Sequence, residues 1–193
     1  MSEIPSITLN NGYELPQIGL GVYKTSGDTQ MKQAVKAAIA AGYRLFDTAS
    51  AYKNEEYMGS ALSSCGIPRN ELFITTKVWN NAQRLGDVAR AFERSLDRLK
   101  LDYVDLYLIH WPADVWQQAW DDLQEIYASG RAKAIGVSNF QPHHLARPAE
   151  EQRRDAGRRS DRILAAVHQP AAGGRAVRQG IATERTARWA APA

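Results

Sequence analysis

Residues 43–47 read Tyr-Arg-Leu-Phe-Asp, a short apolar run that ends on a carboxylate, and residues 104–110 read Val-Asp-Leu-Tyr-Leu-Ile-His, a longer run that ends on an imidazole. The same figure recurs along the chain. Apolar runs at Ile18–Val22, Tyr43–Phe46, Leu72–Thr75, Val104–Ile109 and Ala134–Val137 alternate with longer segments of helical period. The spacing predicts a first helix with Met31, Val35, Ala38 and Ile39 on one face, Asp28 as its N-cap and Gly42 past its end. A second runs from Glu55 to about Ser64, a third carries Leu85, Val88, Phe92, Leu96 and Leu99, and a fourth carries Trp116, Trp120, Leu123 and Tyr127 before Gly130. Five such units repeat at about 30 residues, which predicts a parallel sheet, either doubly wound and open or closed as a barrel. Ahead of them, apolar alternation on both sides of Asn11-Gly12 predicts a hairpin, because that dipeptide tolerates the positive φ of a tight turn.

Each predicted strand but the first ends on polar residues: Asp47, Lys77, His110 and the pair Ser138-Asn139. In parallel α/β folds the C-terminal strand ends converge on one mouth or crevice, where active sites lie. Singly, Asp47 reads equally as a helix cap, Lys77 as a solvated lysine and His110 as a satisfied core histidine. Four strand ends behaving alike favour a site. Gly19-Leu-Gly21 is followed by Val22-Tyr23-Lys24, so the third glycine of the dinucleotide fingerprint is missing and the barrel is favoured over the open sheet.

Composition narrows the function. The 193 residues are 44% hydrophobic and 23% charged, in the ordinary globular range. No apolar run reaches the length of about 18 residues that a membrane span needs. The start lacks a basic region followed by an apolar stretch, and one cysteine, Cys65, excludes an internal disulfide framework; the expectation is a cytoplasmic protein without membrane partners. Four scattered histidines and that cysteine assemble no zinc site, so no metal is expected. The net charge of +3 is uneven. Residues 1–145 carry −2, whereas residues 146–193 carry +5, with 10 Arg, 13 Ala and Trp189 as their only aromatic.

The stretch Gly42-Tyr-Arg-Leu-Phe-Asp47-Thr-Ala-Ser-Ala-Tyr52-Lys-Asn-Glu55-Glu-Tyr-Met-Gly59 resembles the signature of the aldo-keto reductase family. Leu72-Phe-Ile-Thr-Thr-Lys77-Val-Trp79-Asn, Asp105-Leu-Tyr-Leu-Ile-His110-Trp111-Pro112 and Ile135-Gly-Val-Ser138-Asn139-Phe resemble its following active-site strands, in order and over residues 5–145. Val22-Tyr23-Lys24 and the compact loop after His110 look most like bacterial 2,5-diketo-D-gluconate reductases. The resemblance implies an α/β fold, a (β/α)8 TIM barrel closed below by the N-terminal hairpin, acting as a monomer that reduces aldehydes or ketones with NADPH. Tyr52 would be the proton donor, Lys77 the ammonium that stabilises its phenolate, Asp47 the partner that holds Lys77 charged, and His110 the group that orients the substrate carbonyl. Val22, Asp47, Ser138 and Asn139 would contact the cofactor, Ser138 and Asn139 through the nicotinamide carboxamide. Tyr23, Trp79, His110 and Trp111 would line the substrate pocket, and Glu55 and Gly59 would be structural.

A full barrel needs eight βα units in about 250 residues. Residues 1–145 supply five and the hairpin, so they read as the N-terminal part of one barrel, with 146–193 an irregular, aberrant or disordered Arg/Ala-rich tail. Five strands would leave two parallel edges unpaired. Codons exist for Arg159-Ser-Asp-Arg-Ile163 whose +1 frame spells Asp-Gln-Ile-Glu, close to the family's next strand, and Gly180-Ile-Ala-Thr-Glu184 resembles the start of its seventh-strand region, so an out-of-frame tail is one expectation. Two other readings stay open: an inactive barrel fragment that binds a nucleotide or a partner, and a nucleic-acid binder using the tail. The second is disfavoured, because the arginines are interleaved with alanine rather than aromatics and residues 1–145 are net acidic.

Overall fold

The computed structural model describes residues 4–141, residue 144 and two short strands at 166–167 and 177–178. A hairpin of β1 (Ser6–Thr8) and β2 (Glu14–Pro16) turns at Gly12, whose φ is +83°. The five predicted strands follow as β3 (Ile18–Gly21), β4 (Leu45–Asp47), β5 (Phe73–Val78), β6 (Val104–Ile109) and β7 (Ala132–Ser138). They pair in parallel in chain order. The helices between them are α1 (Asp28–Ala40), α2 (Glu55–Ser63), α3 (Asn80–Arg84), α4 (Val88–Leu99) and α5 (Trp116–Ala128).

Three expectations change. Asp28 is the first residue of α1 rather than its cap; Gly27 holds the cap position with φ +82°, a conformation Gly adopts without steric penalty. Leu85 does not share the face of Val88 and Phe92. Gly86 turns the chain with φ +61° before α4 begins, leaving Leu85 at the end of α3 and 77% exposed. The sheet edges are not bare either: β8 (Ala166–Val167) pairs in parallel with β7, and β9 (Val177–Arg178) pairs antiparallel with β3. Edge pairing is a backbone interaction, so two extended residues suffice whatever their side chains. The segments Arg159–Ile163 and 180–184, on which the frame reading rests, lie outside the described residues.

Side-chain alternation gives two apolar layers. Phe46, Ile74, Tyr107, Ile109, Ile135 and Val137 face the helices, where they pack with Met31, Met58, Phe92, Leu99 and Leu123. Leu45, Phe73, Leu106, Leu108 and Ala134 face the concave side with Leu15 of the hairpin. The hairpin is tied there by Tyr13, whose hydroxyl donates to Asp105 at 2.7 Å, and by Asn11 Nδ2, which donates to Lys133 O at 2.9 Å. Continuing that alternation by two places from Leu45 and Leu108, and by four from Phe73 and Ala134, puts Asp47, His110, Lys77 and Ser138 on the concave side at the C-terminal strand ends. The site follows from strand parity.

α2 and α4 cross at Gly59, where an added Cβ would lie 2.6 Å from the carbonyl oxygens of Arg98 and Leu99. Both obstacles are backbone, so the helices must part to admit a methyl group. Gly59→Ala is expected to lower the free energy of unfolding by about 2 kcal/mol in a urea titration.

Candidate active site

Lys77 and Asp47 are fully buried side by side, with Lys77 Nζ 2.6 Å from Asp47 Oδ1 and 3.0 Å from the carbonyl oxygen of Thr48. Burial pulls the Lys77 pKa below the ordinary lysine value, and the charge and hydrogen bond of Asp47, with the charge of Glu55, oppose that pull. The ammonium lies 5.2 Å from the centre of the Tyr52 ring. Tyr52 sits in a 3₁₀ turn, Ser50–Tyr52, shortly after β4, and Ser50 Oγ donates to Lys77 O at 2.9 Å, pinning that turn to β5.

His110 completes the group, its ring 5.4 Å from Tyr52 and 5.1 Å from Trp79, edge-on to both. Burial first, and then the nearby Lys77 charge, push the His110 pKa down to about 3, so its imidazole is neutral near pH 7. Nδ1 is enclosed without a hydrogen-bond partner. An N–H there would donate to nothing, which favours placing the one ring proton on Nε2.

Tyr52 and His110 line a cleft of about 890 Å³ together with Tyr23, Trp79, Leu85, Trp111 and Asn139, and the Lys77–Asp47 pair lies buried behind them. The three predicted aromatic walls stand open to solvent, Tyr23 at 52%, Trp79 at 39% and Trp111 at 47% exposure. Trp111 is held by its carbonyl, which accepts from Gln83 Nε2 at 3.1 Å. Asn139, at φ +62°, donates from Nδ2 to His110 O and to Ser138 Oγ. Asn139 Oδ1 is thereby left as an acceptor and the Ser138 hydroxyl as a donor, a pair complementary to a primary carboxamide. That donor set fits the nicotinamide end of NADPH. Val22 differs from the other candidates. It is buried in the core, its N–H donates to Asp47 O, and its carbonyl accepts from Thr25 N–H and Asn54 Nδ2.

Three neighbours were not read from the sequence as site residues. Ser50 and Asn54 hold the Tyr52 turn, and Leu85 borders the cleft. The only available signal for Asn54 was its place between Tyr52 and the helix start at Glu55. Among the described residues no group of three His, Cys, Asp or Glu could hold a metal ion, and no helix is long and apolar enough to cross a membrane.

A concave parallel sheet thus carries a Lys–Asp pair, a tyrosine, a histidine and the Ser138–Asn139 pair at its C-terminal edge, the place where parallel α/β barrels hold their functional groups. A model of the Aldo/keto reductase family matches residues 17–157, and the chain belongs to that family. It is 51% identical over 152 residues to glyoxal reductase of Bacillus subtilis, covering 78% of this chain and 54% of that one. It is 47% identical over 148 residues to methylglyoxal reductase DkgA of Escherichia coli O157:H7, covering 75% and 53%. The chain thus spans about half the length of these curated relatives. Among solved structures, an aldo/keto reductase from Brucella melitensis superposes with a TM-score of 0.76 at 38% identity, over 88% of this chain and 63% of that one. The Bombyx mori aldo-keto reductase, solved in complex with NADP, gives 0.73 at 33% identity, over 88% and 59%. The fold is therefore the family's (β/α)8 barrel, present here in part.

The depressed His110 pKa carries a stability cost in acid. Below about pH 6.5 the unfolded chain binds a proton that the folded chain refuses, so stability falls as pH drops from 6.5 toward 3 and then levels off. Urea titrations across that window should show the parent chain losing more stability than His110→Gln, by up to a few kcal/mol at about 1.4 kcal/mol per pH unit.

Proposed function

We propose that this chain carries the catalytic half of an NADPH-dependent reductase that converts aldehydes or ketones to alcohols, with Tyr52 as the proton donor. The observation that carries this reading is the buried Lys77–Asp47 pair set against the Tyr52 ring. Bound NADPH supplies the hydride. Ser138 and Asn139 would hold its carboxamide, and Asp47 would contribute a further contact. Val22 serves only through the strand end it anchors. Neutral His110 donates from Nε2 to the substrate carbonyl oxygen and fixes its direction. As negative charge develops on that oxygen, Tyr52 Oη gives up its proton. The Lys77 ammonium stabilises the phenolate that remains, and water restores the phenol.

Tyr23, Trp79 and Trp111 wall the substrate, and Lys24 and Lys53 also line the cleft, which favours a small carbonyl compound bearing an anionic group. A keto-sugar acid such as 2,5-diketo-D-gluconate has that chemistry. The two curated relatives named above act, by their names, on glyoxal and methylglyoxal, so uncharged dicarbonyls belong in the same substrate panel. Residues 1–145 form the N-terminal part of that single reductase barrel, and the whole enzyme works as a cytoplasmic monomer.

The test is NADPH oxidation, followed at 340 nm by the fall in absorbance, with a panel of carbonyl substrates. Tyr52→Phe should reduce turnover at least about 1000-fold while NADPH still quenches tryptophan fluorescence, because it removes a proton donor and little else. Turnover near that of the parent would move the acid role to another group. Lys77→Met should be similarly severe and should change the pH profile of kcat; an unaltered profile would contradict the coupling of Lys77 to Tyr52.

A further inference from the structure

Asn54 sits at the N-cap of α2, a position where asparagine usually accepts a hydrogen bond from the first-turn backbone. Here its side chain makes no such bond. It turns away from the helix, almost fully buried, and makes three others. Nδ2 donates to Val22 O at 2.9 Å and to Thr25 O at 3.1 Å, and Oδ1 accepts from Thr48 Oγ1 at 2.8 Å. Both carbonyls can only accept, so the amide orientation is forced by its partners.

Those partners and Asn54 itself lie on three separate pieces of the mouth. Val22 and Thr25 bracket the loop that carries Tyr23. Thr48 follows Asp47, and its carbonyl receives Lys77 Nζ. Asn54 itself closes the turn that carries Tyr52. Both loops contain a non-glycine residue in the left-handed region, Lys24 at φ +64° and Lys53 at φ +54°. That conformation is unfavourable for a residue with a Cβ and persists only where the surroundings enforce it. Asn54 is the side chain common to both places.

We propose that Asn54 is a positioning residue that clasps the Tyr23 loop to the Tyr52 turn and so fixes the 5.0 Å spacing of the two rings at the substrate mouth. The catalytic part of this inference rests on the function proposed above. Only asparagine fits the place. Aspartate would set a carboxylate against two carbonyl oxygens, alanine would strand three polar groups, and glutamine is one methylene too long.

The clasp can be tested on this chain without any ligand, by amide hydrogen exchange. In Asn54→Ala and Asn54→Asp, exchange at Thr25 and Tyr52 should accelerate together, by about tenfold or more for the lost hydrogen bonds, while Ile74 on β5 keeps its rate. Thr48→Val should give the same pattern more weakly, and Thr48→Ser should restore the parent rates. Acceleration in only one loop, no acceleration, or a uniform rise that includes Ile74 would overturn the clasp; the uniform rise would mean that Asn54 only stabilises the fold. In the reductase assay Asn54→Ala should lower kcat by about 100-fold with NADPH fluorescence quenching intact, whereas an unchanged kcat would overturn the positioning role. A parent chain without turnover would sink the proposed function instead, and the exchange pattern would still decide the clasp.

Discussion

The ion pair between Lys77 and Asp47 is the constraint around which the rest of this structure is arranged. An ammonium removed from water needs a compensating charge, and breaking such a pair by removing one partner is strongly destabilising. Asp47 meets that need at 2.6 Å, and Thr48 O adds a second acceptor. Neither acceptor works unless β4 and β5 hold their register, in which Asp47 lies opposite Thr75 and Lys77 extends two residues beyond. The pair therefore demands the sheet that it sits on. It also shapes the chemistry of its neighbours, since the Lys77 charge helps keep His110 neutral.

The site is built from the concave layer of a partial barrel. Below Lys77, Thr75 and Phe73 continue down β5, and Leu45, Leu106 and Leu108 fill the level above the hairpin plug. That layer is fully buried, so the polar groups above it have an apolar floor. Outside the sheet a second polar system supports them. Glu55 is buried, accepts from Thr76 Oγ1 at 2.6 Å and pairs with Arg98 on α4. It thereby ties the start of α2 to the strand that carries Lys77. Burial first, and then the charge of the same carboxylate, raise the pKa of Tyr107, whose hydroxyl is enclosed without a partner.

Much of this was legible in the chain. Strand parity alone puts Asp47, Lys77, His110 and Ser138 on one face, because each follows an apolar run whose period is fixed at two. Asn11-Gly12 announced the hairpin through its turn chemistry. Other features carry no side-chain signature. Leu85 has the right spacing to join the face of Val88 and Phe92, but a single left-handed glycine, Gly86, breaks the helix between them, and periodicity does not see it. The edge strands Ala166–Val167 and Val177–Arg178 are two residues each, too short for a side-chain period to announce them. Asn54 occupies a place where asparagine is ordinary. Its distinction lies in three partners between 6 and 32 positions away, which only the folded chain reveals.

The most direct measurement on the central claim is the charge of Lys77 itself, read from the 15N chemical shift of its Nζ at pH 7 in the parent chain and in Asp47→Asn. With Asp47 present the nitrogen should be an ammonium. Without it, burial faces less opposition, and the shift should move to that of a neutral amine. A neutral amine in the parent chain, or an ammonium that survives the loss of Asp47, would contradict the account.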